Sequence, residues 1–211
     1  MNLPKYVKKR TNQPDNQKDN VMKSSQSKSH SSRRAIATKL ASSAVALALL
    51  TSAISALADD ILPPPLPSPL CDSLRVPDGN TLTFHGYAIG VQIYRWNGTN
   101  WVFLAPSATL YGDPAYHGQV ATHYAGPTWE SNSGSKVVGM RLAGCTPDAS
   151  AIPWLRLGAI SSQGPGVFNG VTFVQRVNTV GGKAPPTPGT TVGQMANVPY
   201  AAEYFFYSPT S

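Results

Sequence analysis

From residue 71 onward the apolar positions fall in short runs, each broken by Gly, Pro, Asn or Ser, and no stretch keeps helical spacing over ten residues. Pro77-Asp78-Gly79-Asn80 reads as a turn, followed by strands over 81–88 and 90–96. Asn97-Gly98-Thr99 then separates 90–96 from a strand over 100–104, and an Asn-Gly step between two such runs is a strong hairpin signal because both residues tolerate positive φ. The same triplet fits a glycosylation sequon, but the turn accounts for it fully. Further strands are predicted over 109–111, 120–124, 136–142, 154–159, 171–178 and 202–207. The cleanest alternation is Lys136-Val137-Val138-Gly139-Met140-Arg141-Leu142, which puts Val138, Met140 and Leu142 on one face. Many short strands between turns predict an all-β or mostly β single domain, a β-sandwich or a barrel.

Ahead of this domain the pattern changes. A polar, basic stretch runs to Lys39, and Leu40 to Ala58 is uncharged and rich in Ala, Leu and Val. It ends in Ala56-Leu57-Ala58, the small-x-small sequence that signal peptidase recognises, so residues 1–58 read as a cleavable export leader. A start at Met22 would give a leader of ordinary length. Arg33-Arg34 is a weak match to a twin-arginine signal, and the general secretory route is the alternative. Cleavage near Ala58 releases a periplasmic or extracellular chain without a second apolar run, hence without a membrane anchor; the alternative is an uncleaved anchor, against which Ser42, Ser43, Thr51, Ser52 and Ser55 dilute the apolar stretch. Residues 59–70 are a Pro-rich strip, either a spacer or a segment lying on the domain through Ile61, Leu62 and Leu66.

Charge changes meaning once it is divided at this boundary. The net +7 of the 211-residue chain is the sum of +8 in residues 1–58 (ten Lys/Arg, two Asp) and −1 in residues 59–211 (seven Lys/Arg, eight Asp/Glu). The basicity belongs to the leader, and the domain has no electrostatic footprint for nucleic acid. Its two cysteines, Cys71 and Cys145, are candidates for a disulfide in an oxidising compartment, with buried free thiols as the alternative.

Several phrases in order carry a family resemblance. They are Gly90-Val91-Gln92-Ile93-Tyr94, His123-Tyr124-Ala125-Gly126-Pro127-Thr128-Trp129-Glu130, Ala151-Ile152-Pro153-Trp154-Leu155, Gln175 to Pro185, and Val198-Pro199-Tyr200 leading into Tyr204-Phe205-Phe206-Tyr207. Together they resemble the family catalogued as domain of unknown function 3455, whose members are secreted proteins of bacteria and fungi. The resemblance implies no established activity. Some fungal members carry a malate dehydrogenase label, which this sequence does not support: Gly164 to Gly170 lacks the G-x-G-x-x-G spacing and a following helix. Many members have one cysteine after the Gln-x-Tyr phrase and another before Val-Pro-Tyr. Those regions here hold Trp96 and residues 189–197 without cysteine, and the family's Asp-Gly-Ser turn reads Ser133-Gly134-Ser135.

The side chains that could carry chemistry are few. His85, His117 and His123 do not have cupin spacing, and no cofactor or metal is predicted. No Ser sits in a nucleophile elbow, and a glycosidase pair could only be drawn arbitrarily from Asp113, Glu130, Asp148 and Glu203. Arg176 and Asn178 are expected on one face of a buried strand. There Arg176 either offers its planar fork to an anionic or sugar ligand or pairs structurally with Glu130 or Glu203. Trp129, in a Gly-Pro-Thr-Trp-Glu turn, is the tryptophan most expected to be exposed for stacking on a sugar ring. His123, Trp129, Glu130, Arg176 and Asn178 are therefore the candidate ligand-binding residues. Three functional classes follow: a binding module for carbohydrate or another small polar ligand, a structural or envelope-associated protein, and a secreted enzyme of unrecognised type.

Overall fold

The structure, a computed structural model, describes residues 62–210; the leader, its cleavage site and Ile61 lie outside them. Eight antiparallel strands follow one another around a closed barrel, each hydrogen-bonded to the next in sequence and β8 back to β1. They are β1 (Asn80–Trp96), β2 (Trp101–Tyr111), β3 (Gln119–Tyr124), β4 (Thr128–Ser131), β5 (Lys136–Cys145), β6 (Trp154–Gln163), β7 (Phe173–Gly181) and β8 (Met195–Pro209). Of sandwich and barrel, the chain forms the barrel, which leaves no free sheet edge where closure is complete. Among the described residues no helix is long and apolar enough to cross a membrane.

Several predicted strands merge. The runs 81–88 and 90–96 are one strand, because Gly90 lets β2 approach: a Cβ there would lie 2.2 Å from the Ser107 carbonyl oxygen. The Asn97-Gly98 hairpin forms as expected, with Gly98 at φ 100° and the Asn97 side chain accepting from the backbone N–H of Thr99 and Asn100. β4 has no counterpart among the predicted strands, since its four residues are too few to show alternation. In β5 the alternating Val138, Met140 and Leu142 do share a face, but it is the outer one, with Met140 and Leu142 exposed. Val137 and Gly139 face inward instead, and Gly139 makes room for Trp129, whose ring edge lies 3.2 Å from where a Cβ would stand.

Burial divides between two cores on opposite sides of the barrel wall. The inner core holds Ala88, Leu110, Ala121, Trp129, Val137, Leu157, Phe168, Val174, Tyr204 and Phe206 among others. The outer core holds Cys71, Leu74, Cys145, Trp154, Val177, Phe205 and Tyr207. β8 serves both because successive side chains of a strand point to opposite faces: Tyr204 and Phe206 go in, Phe205 and Tyr207 go out. The outer core exists because the N-terminal segment covers it. Leu66 of the Pro-rich strip packs there and Pro64 is buried, whereas Leu62 is exposed. A short 3-10 turn, Asp72–Leu74, follows the strip, and Gln175 binds it by donating to the Leu74 carbonyl (2.7 Å) while accepting from the Tyr207 hydroxyl (2.6 Å). The Cys71–Cys145 disulfide fastens the same segment to the end of β5.

The two ends of the barrel differ. At the end carrying the β2–β3, β4–β5 and β6–β7 connections, Phe168 is tucked fully inside and packs against Phe84 and Phe206, with ring centroids 5.8 and 4.6 Å away. The Ser133-Gly134-Ser135 turn holds that loop in place. Ser133 donates to the Pro165 carbonyl, and the buried Ser135 hydroxyl accepts from the Phe168 N–H. At the opposite end β3 and β4 stop short. β3 pairs with β2 only over 108–111 and β4 with β5 only over 136–138, so β2 from Trp101 to Ser107 and β5 from Met140 to Cys145 flank an unpaired notch.

Reduction of the disulfide, or the double change Cys71→Ser with Cys145→Ser, is expected to lower unfolding free energy by about 4 kcal/mol, the loop-closure value for a 74-residue separation. Urea unfolding of the full chain with and without reductant checks this; equal midpoints would show that the outer core holds without the covalent tie.

Candidate functional site

The short β3–β4 hairpin places His123 directly across from Trp129 in the ladder. Their rings stack at 4.3 Å between centroids and 7° between planes, and both are essentially fully buried. Tyr204 meets this stack edge-on, 5.2 Å from His123 and 5.4 Å from Trp129. The imidazole has a fixed tautomer. Its Nδ1–H donates to the Thr128 carbonyl at 2.8 Å, so Nε2 carries the lone pair. Burial drives its pKa down to about 3, the nearby Arg176 charge adding to the fall and the Thr128 bond opposing it. His123 is therefore a neutral ring throughout the physiological range.

Between this stack and the notched end lies a cavity of about 590 Å³. Tyr204, Trp129 and His123 line its inner part, and Leu155 and Leu157 of β6 one side. Phe103, Leu104 and Pro106 of β2, the Gly126-Pro127 turn and Arg141 of β5 border it at the notch. Leu104 is the unpaired residue of a β-bulge, because Ile93 pairs with Ala105 and Tyr94 with Phe103, and it is consequently half exposed beside the opening. The loop before β6 adds Ile152 and Pro153. That loop is fastened to β7: the Ile152 N–H donates to the Gly181 carbonyl (2.9 Å) and Thr179 donates to the Ile152 carbonyl (2.6 Å).

Arg176 enters this cavity from β7. Its Nε and Nη2 both donate to the Pro153 carbonyl, at 3.2 and 2.8 Å, which sets the plane of the guanidinium. Its charge is felt by the surrounding groups, lowering His123 and opposing the upward shift that burial imposes on the hydroxyls of Tyr94, Tyr200 and Tyr204. The lining contains no Asp or Glu. Two further lining residues hold buried donors with no partner in the protein, the Gln92 amide nitrogen and the Trp129 indole nitrogen.

Of the five residues singled out from sequence, three converge here: His123, Trp129 and Arg176 line one cavity. Trp129 is not exposed as expected; the neighbouring charge in its turn belongs to the outer face, while the indole fills the barrel. Glu130 points outward, accepting from the Tyr124 hydroxyl (2.6 Å) and pairing with Lys136 (3.2 Å), which together hold its carboxyl below the usual range. Asn178 does not share a face with Arg176. A bulge between Val177 and Val180 turns it outward at φ 49°, a conformation asparagine tolerates, and its side chain donates to Glu203 (2.9 Å). Arg176 pairs with neither Glu130 nor Glu203; a backbone carbonyl takes that place. Glu203 binds His85 instead (2.8 Å), on the outer wall. Gln92, Tyr94, Leu155 and Tyr204 join the site without having been expected there. Gln92 and Tyr94 were marked all the same, because strict alternation from the buried Ala88 puts both on the inward face.

The chain is an up-and-down antiparallel barrel of eight strands, plugged at one end and open to a cavity at the other. Within that class the chain belongs to the family described as protein of unknown function (DUF3455), whose model matches residues 77–208. No curated protein and no solved structure matches the chain. Trp96 and Gly189 are in contact: a Cβ on Gly189 would meet the indole at 2.5 Å, so an aromatic ring on glycine joins these two segments.

Because His123 is neutral when folded and titrates near 6.5 when unfolded, the unfolded state binds the additional proton below that value. Its contribution is complete above pH 6.5 and is lost as pH falls from 6.5 towards 3. Between pH 6.5 and 5 the unfolding free energy should fall by up to about 1.4 kcal/mol per pH unit more in the wild type than in His123→Gln. His85, also shifted down by burial, remains in both proteins and cancels in the comparison. Parallel pH profiles by urea titration would contradict a buried neutral His123.

Proposed function

We propose that this domain is an exported binding module that holds one small ligand in the open half of its barrel. The observation that carries the reading is the Arg176 guanidinium set into a largely apolar cavity whose lining has no carboxylate to neutralise it. The cavity volume lies within the usual range for small-molecule pockets, roughly 300–1,000 Å³. The lining contains no Ser, Thr, Cys, Lys, Asp or Glu, which leaves His123 and the hydroxyls of Tyr94 and Tyr204 as its titratable groups besides arginine, and burial raises the pKa of both hydroxyls. Its single imidazole is pushed far below neutral pKa, which suits an acceptor better than a base. Binding is accordingly favoured over catalysis. The apolar stretch before Ala58, the small-x-small sequence and the Cys71–Cys145 bond support export to an oxidising compartment.

A thermal-shift screen of the full chain against sugars, organic acids and neutral amphiphiles is expected to give a dose-dependent rise in Tm. A ligand at a hundredfold excess over Kd contributes about 2.7 kcal/mol, several degrees for a domain of this size. Leu155→Trp, which fills the cavity, should abolish the shift. Absence of any shift across the panel would favour a structural role in the envelope.

A further inference from the structure

Building on the reading of the open half as a ligand pocket, we propose that its occupant is a small organic monocarboxylate with an apolar body, its head held by Arg176. Arg75 and Lys136 pair with Asp72 and Glu130, and of the cations without an ion pair Arg95, Arg141 and Lys183 are exposed to water and Arg156 lies against the Arg75 carbonyl on the outer wall, whereas Arg176 faces the interior. Arg176 has no ion-pair partner among the described residues. A guanidinium inside a barrel wall loses much of its hydration, and a backbone carbonyl returns only part of it. The Pro153 carbonyl occupies the Nε edge through Nε and one Nη2 hydrogen. The Tyr204 hydroxyl also lies within reach of the guanidinium, and the Nη hydrogens that neither it nor Pro153 takes form a planar donor set suited to a carboxylate.

The remaining polar character of the pocket points the same way. The Gln92 and Trp129 nitrogens are closed off from the open space, so the charge that faces the cavity is the Arg176 guanidinium, with no carboxylate opposite it. A neutral sugar brings as many hydroxyl donors as acceptors and would leave the guanidinium uncompensated. A carboxylate brings acceptors only. One inward-facing cation calls for one negative charge; the second arginine, Arg141, is exposed at the notch, where it draws anions towards the opening. Beyond the head, Leu155, Leu157 and Ile152 offer only hydrocarbon, and Phe103 and Leu104, 48% and 43% exposed, continue it at the notch. The ligand class that satisfies both ends is an amphipathic acid, aliphatic or aromatic.

Titration calorimetry of the full chain with octanoate and 2-naphthoate, each against its methyl ester, tests this. The acid should bind at least tenfold more tightly than its ester, with an advantage that shrinks as salt rises. Arg176→Gln should remove the acid's advantage while leaving ester affinity within about threefold, which also shows that the cavity survives. Arg141→Gln should weaken the acid by no more than about threefold. Equal affinity for acid and ester, both lost in Leu155→Trp, would overturn the carboxylate assignment and keep the pocket. Binding of neither compound to the wild type would overturn this assignment; if no member of the wider panel binds either, the ligand-binding reading falls with it. Should Arg176→Gln not fold, the wild-type acid-to-ester ratio decides alone.

Discussion

The stack of His123 on Trp129 is the contact on which the interior of this barrel depends. His123 of β3 stacks on Trp129 of the four-residue β4 across the ladder, and the indole reaches Tyr204 and Phe206 of β8. Below them Phe206, Phe168, Phe84, Leu110 and Val174 fill the space as an ordinary core. Above them β3 and β4 end, and although Tyr94 and Tyr200 also face inward from β1 and β8, Gln92, Leu155 and Arg176 on β1, β6 and β7 border open space. The geometry of the stack also imposes conditions on its neighbours. Glycine at position 139 gives the indole room, a Cβ there standing 3.2 Å from its edge, and His123 must stay neutral, since a charged imidazole stacked on an indole in this apolar site would have no counter-ion.

A second dependency runs through the wall rather than the interior. β8 carries aromatic side chains on both faces, and its outward pair, Phe205 and Tyr207, would be exposed without the N-terminal segment. The disulfide, the Gln175 bridge and Leu66 hold that segment on β5, β7 and β8. β7 is thus braced from outside at the strand that presents Arg176 on the inside. Holding the guanidinium plane by the Pro153 carbonyl extends the same bracing to the loop before β6, which is itself tied to β7 by Thr179. A binding group placed on a strand and fixed by its supports loses little freedom when a ligand arrives.

Much of the fold was legible in the residue pattern, and the reasons for the misses are specific. The hairpin at Asn97-Gly98, the all-β character and the family phrases were plain in the sequence. β4 was hidden by its length and by the Gly126-Pro127 step before it. β5 was assigned its period correctly, but its apolar set proved to be the outer face, because the space on the inside is taken by Trp129 from a neighbouring strand. That is a tertiary fact invisible in β5 itself. Local sequence paired Arg176 with Asn178 by a count of two, and the bulge at Asn178 broke the count. Glu130 was grouped with Trp129 by adjacency, although adjacent strand residues point to opposite sides. The convergence of His123, Trp129 and Arg176 needed the closure of the barrel to be seen.

The central claim is that the barrel is packed below the His123–Trp129 stack and hollow above it. Equilibrium unfolding of two matched enlargements tests it directly, Leu155→Phe in the upper half and Val174→Phe in the lower. Overpacking a filled core costs about 1–3 kcal/mol, while a larger apolar side chain entering open space costs little or adds stability. The account predicts that Leu155→Phe stays within about 0.5 kcal/mol of the wild type or exceeds it, and that Val174→Phe loses about 1–3 kcal/mol. Equal losses in both would mean that the two halves are equally full, and the hollow end, with everything inferred from it, would have to be abandoned.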